Sequence, residues 1–383
     1  MTSRSLVAAV AAAAVTLAAP AAAGAGSAPP SRGLGRALDR IVAAPGGPPG
    51  LSVVIRRGAR QEVHRRGLGD VRARRTPRVG DHYRIASMAK AFSGGVALAL
   101  VDQGRLALDD TIGERLPGVL PRANDVTLAQ ALHHTGGLPD YIRSPAFIRR
   151  LTANPAAYMS PRTLVGFVRN TPLRFRPGSR YEYSDTDNIV VGLMAEAATG
   201  LRYEQLLSRL VYQPLGLRET TLPRTVRMPR PFLHGYEVEA GKPPQDVSQV
   251  INPAGAWASG GIVSTALDVG SFFRGYVGGR LFGAPVRREQ LRFRRGSSSP
   301  PGPGTNDAGL AVYRYRTRCG AVYGHTGSFP GYRLFAAASA DGRRSVVFTV
   351  NAQIVPREGT PEPAVSRQIR GAQELAVCRA LGR

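Results

Sequence analysis

Predicted β-strands lie near both ends of this 383-residue chain, whereas the segment between them has mainly helical spacing. Near the amino end, residues 51–55 and 61–67 have the composition of two paired strands around a turn at Gly58. Four further strands are predicted near the carboxyl end, over residues 312–317, 321–326, 332–338 and 345–351. This order predicts an α/β (α+β) fold in which one antiparallel sheet, flanked by helices, is built from both termini and carries an inserted helical subdomain.

Helical periodicity places further elements along the chain. The predicted helices cover residues 33–44, 87–103, 125–132, 160–168, 188–198, 264–273 and 365–380. We therefore expect the α/β part at about 33–105 and 255–380, and the helical part at about 106–254.

The first 23 residues have the pattern of a secretory signal peptide. A positive charge at Arg4 precedes an alanine-rich apolar run over residues 6–19, and small residues at 21–23 form a cleavage site. This run is short and weakly apolar beside the about 20 residues of a membrane-spanning helix, and no later stretch is suited to span a bilayer. We therefore expect a secreted, extracellular protein with a Sec-type signal cleaved near Ala23 and no stable membrane insertion.

The net charge of +25 is large and comes from arginine. A basic exported protein would attract anionic polymers such as wall teichoic acids, although a chain rich in Ala, Gly, Pro and Arg also reflects codon usage in a GC-rich genome. The sequence contains no recognised nucleic-acid-binding module, so we do not expect nucleic acid as a partner.

Cys319 and Cys378 are the two cysteines of the chain. In an oxidising compartment the simplest interpretation is one disulfide between them. Two free buried thiols are the alternative.

Ser87 and Lys90 form an S-x-x-K pattern at the start of a predicted helix. The pattern is informative because Lys90 is one of two lysines in a chain that otherwise uses arginine for its positive charge. Guanidinium stays protonated in proteins, whereas a lysine amine can be tuned to act as a base. One helical turn brings the amine to the face that carries the serine, and a serine hydroxyl needs such a neighbour to become a nucleophile. A helix-starting serine followed by a surface lysine is the alternative.

Two further polar segments accompany this pair. Tyr183 lies just before an apolar helix, and His325 opens an H-T-G triplet on a predicted strand. H-T-G also occurs at His134, but that copy lies in a loop at a helix end. We assign the site to His325, because its strand can run beside the nucleophile. A second register for the tyrosine segment, residues 186–188, imitates an S-D-N motif and stays open as an alternative.

In this order, S-x-x-K, the tyrosine segment and H-T-G resemble the three motifs of the penicillin-recognising serine hydrolases, which include D-alanyl-D-alanine carboxypeptidases, class C β-lactamases and related esterases. The resemblance covers roughly residues 35–375 and includes the loop 132–141, which is similar to the family's H-T-S-G-L segment. It implies a β-lactamase/transpeptidase-like fold with one hydrolase domain at 33–375. It also implies chemistry that needs no metal ion and no cofactor.

The resemblance also implies roles for four catalytic residues. Ser87 would be the acylated nucleophile, and Lys90 would take its proton with help from the Tyr183 phenol. Tyr183 would then pass a proton to the leaving amine. His325 would stand in place of the usual lysine of the third motif and support this relay.

The remaining candidates would contact substrate. Thr326 would hydrogen-bond a substrate carboxylate beside Gly327, and the backbone N–H of Ser328 would form an oxyanion hole with that of Ser87. Arg314 or Arg316, just before the third motif, is a candidate partner for a substrate carboxylate. A basic, exposed strand face is the alternative for these arginines.

Asp185 departs from the family pattern, because the second motif normally ends in asparagine. An asparagine amide both donates and accepts hydrogen bonds, whereas an ionised carboxylate only accepts them. Asp185 beside Lys90 would also favour the charged ammonium and repel anionic substrates. This position therefore bears on which substrates the site can take.

From these features we expect a secreted serine hydrolase that works through an acyl-enzyme. The first candidate is a D-alanyl-D-alanine carboxypeptidase acting on peptidoglycan peptides, with β-lactams as covalent ligands. The alternative is an esterase or β-lactamase acting on a small amide or ester. A non-catalytic, wall-binding or penicillin-sensing homologue is a second alternative.

Overall fold

The computed structural model describes residues 30–294, 297, 301–355 and 361–383, and its centre is one antiparallel sheet. In chain order the strands are β1 (Gly50–Arg57), β2 (Arg60–Gly67), β3 (Tyr83–Arg84), β4 (Tyr236–Glu237), β5 (Gln245–Asp246), β6 (Val263–Ser264), β7 (Thr305–Ala308), β8 (Tyr313–Thr317), β9 (Gly320–Phe329), β10 (Tyr332–Ala338) and β11 (Arg344–Val350). The main sheet has seven strands in the order β2-β1-β11-β10-β9-β8-β7, while β3 pairs with β6 and β4 with β5. The predicted antiparallel sheet built from both termini is therefore confirmed.

Helices supply the layers on both sides of this sheet. In chain order they are α1 (Pro30–Ala43), α2 (Ala89–Asp102), α3 (Ile112–Arg115), α4 (Leu128–Leu132), α5 (Pro145–Ala153), α6 (Pro161–Gly166), α7 (Asp185–Thr199), α8 (Tyr203–Leu207), α9 (Gln213–Leu215), α10 (Trp257–Gly260), α11 (Ala266–Val277), α12 (Ala284–Gln290) and α13 (Ala364–Leu381). The predicted signal peptide, residues 1–23, lies outside the described residues. Within the described part of the chain, no helix combines the length and apolar character needed to cross a membrane.

Alternation along the strands gives the main sheet two apolar faces. On β10, Phe335 packs with the terminal helices α1 and α13, whereas Leu334 and Ala336 pack with the helical middle of the chain. Leu38 of α1 and Ile369 of α13 are fully buried against the first face. The second face meets α11 and, beyond it, the helices that carry the candidate site.

Helix α7 is placed by its caps and by its packing against α2. The Ser184 hydroxyl accepts a hydrogen bond from the Thr186 N–H, and acidic residues in the first turn complement the positive end of the helix dipole. At the other end Gly200 takes the left-handed conformation, with φ 72°. These caps fix Asp185 as the first residue of the helix, at the point where α7 faces α2.

Most of the predicted strands and helices are present within a few residues of their expected ends. The helix predicted from residue 87 begins instead at Ala89, because residues 86–88 form a 3₁₀ turn that Ala86 enters with φ 51°. Strands β3 to β7 and helices α3, α5, α8, α9, α10 and α12 were not predicted. The longest of them, α5, has nine residues, which is fewer than the window of about 11–18 residues in which helical periodicity is recognised, so the sequence gives little signal for them.

Cys319 and Cys378 form the predicted disulfide. Cys319 lies directly before β9, and Cys378 lies in the last turns of α13. The bond therefore ties the carboxyl-terminal helix to the strand that carries His325.

We expect loss of this disulfide to destabilise the fold. Its sequence separation is 59 residues, and in the chain-entropy model a loop of this length contributes about 4 kcal/mol to the free energy of unfolding. Urea unfolding of the native protein and of the Cys319→Ala/Cys378→Ala variant measures the difference. A loss below about 1 kcal/mol would show that the bond does not constrain the unfolded chain in this way.

Candidate active site

The candidate nucleophile Ser87 lies in the 3₁₀ turn Ala86–Met88, which leads into α2. Ala86, His134 and Trp257 all have positive φ angles, of 51°, 56° and 33°. Such angles cost a residue with a Cβ about 1–3 kcal/mol each, and they persist where surrounding contacts hold them, often at functional sites. Ala86 directly precedes the nucleophile, His134 packs on the ring of Tyr183, and Trp257 lies two residues before Ser259. Three of the five non-glycine residues with positive φ in the described part of the chain thus lie around the candidate site, and the other two are Arg74 and Ala311.

Lys90 is fully buried one turn after Ser87. Its Nζ lies 3.3 Å from Ser87 Oγ, 2.6 Å from Asp185 Oδ1 and 2.8 Å from the carbonyl oxygen of Ser259. An ammonium uses all three protons in these contacts. A neutral amine can donate to the carboxylate and the carbonyl while its lone pair accepts from the serine hydroxyl. The geometry thus suits both the charged form and the form that acts as a base.

Asp185 forms an ion pair with Lys90 and keeps 14% of its side-chain surface exposed. Behind it, Asp140 Oδ1 accepts a hydrogen bond from the Asp185 N–H at 3.2 Å. Burial, and next the charge of Asp185, raise the pKa of Asp140 to about 8. Asp140 is therefore largely protonated at neutral pH, and Asp185 is the carboxylate that balances the lysine.

Tyr183 packs over the amine, with Lys90 Nζ 4.9 Å from the centre of its ring. Burial, and next the negative charge of Asp185, raise the pKa of the Tyr183 phenol well above its usual value, although the nearby Ser87 hydroxyl opposes this rise. The phenol and the serine do not form a hydrogen bond of good geometry with each other. Tyr183 consequently stays protonated and can donate a proton, but it is not a preformed phenolate base.

His325 lies on β9, with its ring 6.4 Å from that of Tyr183 between centroids. Its Nδ1–H donates to the carbonyl oxygen of Thr326 over 2.5 Å, so Nε2 carries the lone pair. Nε2 is buried and has no hydrogen-bond partner among the described residues. Burial, and next the positive charge of Lys90, lower the pKa of His325 to about 3. The imidazole is therefore neutral near pH 7 and presents an acceptor to its surroundings.

Gly327 allows β9 to lie directly against the nucleophile turn. A Cβ added here would lie 2.6 Å from the Ile85 carbonyl oxygen and 3.3 Å from Ala86 Cβ, and the first of these distances is a clash. The close approach brings Ser328, the next residue of β9, towards Ser87. The role of Gly327 supported by the geometry is thus to permit this contact, and it differs from the substrate contact expected from the sequence.

Thr326 has its side chain on the other side of the sheet from His325. In the register of β9 with β10, His325 is opposite Ala336 and Thr326 is opposite Phe335, and successive residues of a strand point to opposite faces. The Thr326 hydroxyl is close enough to Tyr315 to lower the pKa of that phenol, against the larger effect of burial. Its position does not favour the predicted hydrogen bond to a substrate carboxylate, because the side chain faces away from the imidazole.

Arg314 already has a carboxylate partner within the protein. Its Nη2 donates to Asp307 Oδ2 at 2.7 Å, and its guanidinium lies 4.6 Å from the centre of the Phe293 ring. Arg316 donates to the same carboxylate oxygen. This arrangement corresponds to the alternative of a basic strand face and does not favour a substrate contact by Arg314.

A buried pair behind Tyr183 was not singled out as part of the site from the sequence. His134 Nδ1 lies 2.7 Å from Asp187 Oδ2, and the His134 ring packs on Tyr183 with 4.5 Å between centroids. Burial lowers the pKa of His134 and raises the pKa of Asp187, which favours the uncharged form of both. The second H-T-G copy was the signal for this pair. The carbonyl of Ser259, which binds Lys90, had no such signal, because every residue carries a carbonyl.

The structure also distinguishes the two possible alignments of the tyrosine segment with the family's second motif, which are residues 183–185 and residues 186–188. Asp185 contacts Lys90. In the rival register, Asp187 contacts His134, and Asn188 Oδ1 accepts a hydrogen bond from Ser93 Oγ at 2.9 Å. It is therefore Asp185, two residues after Tyr183, that lies at the amine.

Solved structures with this fold include penicillin-binding-protein-like hydrolases. The chain is similar to a D-stereospecific amidohydrolase from Streptomyces sp., with a TM-score of 0.76, 28% sequence identity and coverage of 89% of this chain and 98% of that one. A D-amino acid amidase from Ochrobactrum anthropi SV3, complexed with D-phenylalanine, gives a TM-score of 0.78 at 23% identity and covers 92% of this chain and 98% of that one. The second likeness shows the fold alone. Together they confirm the expected β-lactamase/transpeptidase-like fold.

The sequence also matches a model of one protein family. The Beta-lactamase model matches residues 38–369, so the chain belongs to the beta-lactamase family. Among curated proteins, one from Escherichia coli (strain K12), named provisionally as a D-alanyl-D-alanine carboxypeptidase, is 29% identical over 166 residues. That match covers 41% of this chain and 36% of the relative, so the chain spans little more than a third of the relative's length.

We expect Gly327→Ala to push β9 away from the nucleophile turn. The added Cβ would lie 2.6 Å from the Ile85 carbonyl oxygen, and relieving an overpacked contact costs about 1–3 kcal/mol. Urea unfolding measures this loss. Gly371→Ala is the matched control, because Gly371 is exposed in α13 with nothing within 4 Å of an added Cβ, and it should stabilise the helix by about 0.5–1 kcal/mol. Equal stability of the two variants would contradict the close approach.

We expect His325 to make the fold sensitive to acid. Its folded-state pKa of about 3 lies below the value of about 6.5 for an unfolded histidine, so the unfolded chain binds more protons between these values. Stability is therefore fully present above about pH 6.5 and is lost as the pH falls. The native protein should lose about 2 kcal/mol more than His325→Gln between about pH 6.5 and 4.5.

Urea unfolding of both proteins at the two pH values measures this difference. His134 is present in both, so its contribution cancels. Parallel losses in the two proteins would mean that His325 is not held neutral by the fold.

Proposed function

We propose that the protein is a serine hydrolase that forms an acyl-enzyme at Ser87 with amide or ester substrates whose acyl residue has the D configuration. The observation that carries this proposal is the 3.3 Å contact between Lys90 Nζ and Ser87 Oγ, with the lysine fully buried. A serine hydroxyl becomes a useful nucleophile when a base lies within reach of its proton. The names of the similar amidohydrolase and of the curated relative support the D configuration.

Lys90 takes the serine proton in its neutral form. The neutral amine donates to Asp185 Oδ1 and to the Ser259 carbonyl, and its lone pair accepts from the serine hydroxyl. As Ser87 Oγ bonds to the substrate carbonyl carbon, the proton moves to Nζ, and the ammonium keeps the same two acceptors. The Asp185 carboxylate stabilises the positive charge that develops on Nζ in this step.

Tyr183 carries a proton to the leaving group. Its phenol is protonated and its ring lies over the amine, so it can give its proton to the leaving nitrogen or oxygen as that bond breaks and regain one from the Lys90 ammonium. His325 Nε2 is available as an acceptor that orients the phenol. The backbone N–H groups of Ser87 and Ser328 bind the oxyanion, and water then hydrolyses the acyl ester by the reverse sequence.

The carboxypeptidase and the amidase or esterase differ in whether the site needs a partner for a substrate carboxylate. A D-alanyl-D-alanine carboxypeptidase has to bind a terminal carboxylate, but Arg314 is paired with Asp307 and the Thr326 side chain faces the other side of the sheet. An amidase or esterase needs no such partner. The curated relatives support the carboxypeptidase by name, whereas the arrangement of these two side chains favours an amidase or esterase. The signal-peptide pattern of residues 1–23 supports action after secretion.

Acylation of Ser87 is the direct test of this function. We expect intact-mass spectrometry to detect an adduct with at least one of three probes: benzylpenicillin, an N-acylated D-alanyl-D-alanine peptide and a short ester of D-alanine. Ser87→Ala should abolish every adduct, whereas Ser179→Ala, which removes an exposed hydroxyl that only donates to the Arg176 carbonyl, should leave them unchanged. Binding without any adduct would favour the non-catalytic alternative.

A further inference from the structure

Asp185 has one carboxylate oxygen that the protein leaves available. Oδ1 accepts the hydrogen bond from Lys90 at 2.6 Å, whereas Oδ2 has no hydrogen-bond donor among the described residues, and the side chain is 14% exposed. A carboxylate oxygen accepts hydrogen bonds and cannot donate one. It therefore favours a donor on the substrate, and a cationic donor most of all.

The charges around Asp185 do not compete with such a cation. Lys90 and Asp185 cancel each other as an ion pair. Burial holds the neighbouring Asp140 in its protonated form near pH 7, with a pKa of about 8, and holds His325 neutral, with a pKa of about 3. Tyr183 is a neutral phenol. An asparagine in place of Asp185 would leave the charge of Lys90 unbalanced, which would favour anionic substrates and repel cations.

The position of Asp185 matches one particular atom of the substrate. Lys90 Nζ lies 3.3 Å from Ser87 Oγ and 2.6 Å from Asp185 Oδ1. The distance between these two oxygens therefore cannot exceed the sum of the two contacts. Ser87 attacks the carbonyl carbon from about 3–3.5 Å, and the α-nitrogen of an amino-acid amide is two bonds from that carbon. The α-nitrogen of the acyl residue is thus within reach of the Asp185 carboxylate.

We propose that Asp185 selects substrates whose acyl residue carries a free, protonated α-amine, such as D-amino-acid amides, esters and unblocked D-peptides. N-acylated substrates, which include penicillins and the N-acylated form of D-alanyl-D-alanine, replace the ammonium by an uncharged amide N–H and add a carbonyl oxygen beside it. The charge-assisted hydrogen bond to Asp185 is then lost, and the added carbonyl oxygen lacks the hydrogen bond that an asparagine would donate. This selection rests on the proposed acyl-enzyme at Ser87 and names the substrate class of that same site.

The test compares a matched pair of substrates, D-alanine p-nitroanilide and N-acetyl-D-alanine p-nitroanilide. We expect the native protein to favour the free amine by about tenfold or more in kcat/KM, as for a hydrogen bond between charged groups. In Asp185→Asn this ratio should fall to about one or below. The ratio is the readout because the substitution also changes the proton transfer through Lys90, which affects both substrates alike. Glu182→Gln removes a partly exposed carboxylate that pairs with Arg174 and Arg180, and it should leave the ratio unchanged.

The outcomes separate this inference from the function on which it rests. Suppose first that Ser87→Ala abolishes hydrolysis, so that the proposed hydrolase function is supported. The selection by Asp185 is then wrong if the native protein prefers the acetylated anilide, or if Asp185→Asn keeps the native ratio. If neither anilide is hydrolysed in a Ser87-dependent way, both the selection by Asp185 and the proposed hydrolase function are wrong. Binding of D-alanine amide and N-acetyl-D-alanine amide to Ser87→Ala, measured by calorimetry, gives the same preference without turnover. A weaker affinity for the free amine there would overturn the selection.

Discussion

The buried ion pair of Lys90 and Asp185 is the interaction on which the site depends. Lys90 has no exposed surface, and an unpaired ammonium in such a place would cost several kcal/mol, on the order of the desolvation of an ion. Asp185 and the Ser259 carbonyl offset that cost with two short contacts. The same contacts place Nζ 3.3 Å from Ser87 Oγ, so the requirement to satisfy a buried charge also sets the geometry of the proposed proton transfer. Removal of either partner alters stability and chemistry together, because one set of atoms provides both.

The second constraint is the short distance between strand β9 of the sheet and the turn that carries Ser87. Strand β9 approaches the nucleophile turn more closely than any residue with a Cβ would allow at Gly327, and Ala86 takes a positive φ where the turn meets the strand. Such strain is tolerated because α2 and its neighbours are packed on all sides, with Phe92 and Met88 fully buried. Packing of the helical middle against the sheet thus holds together two segments, at residues 86–90 and 325–328, that are far apart in the chain.

The sequence predicted the parts of this arrangement that have a local signal. Antiparallel strands, the disulfide and the order of the motifs depend on spacing and residue type, and the first two are confirmed. The roles of Ser87, Lys90, Tyr183 and His325 stay predictions. The side-chain direction of Thr326 was also open to prediction, because a strand that points His325 one way must point the next residue the other way. By contrast, the Ser259 carbonyl and the pairing of Arg314 with Asp307 arise from long-range packing. They leave no local pattern in the sequence.

The candidate site has little net charge although the whole chain is strongly basic, because burial favours the uncharged forms of its side chains. The protein carries a net charge of +25, which would attract anions to its surface, but salt screens that field over about 8–10 Å. Inside the site, burial disfavours the charged forms of Asp140, Asp187, His134 and His325, and the one ion pair has no net charge. A substrate that reaches Ser87 therefore responds to the direction of individual donors and acceptors more than to the basic surface. A strongly cationic protein can therefore contain a site of the kind we propose for a cationic substrate. In that proposal the selection depends on one carboxylate oxygen of Asp185.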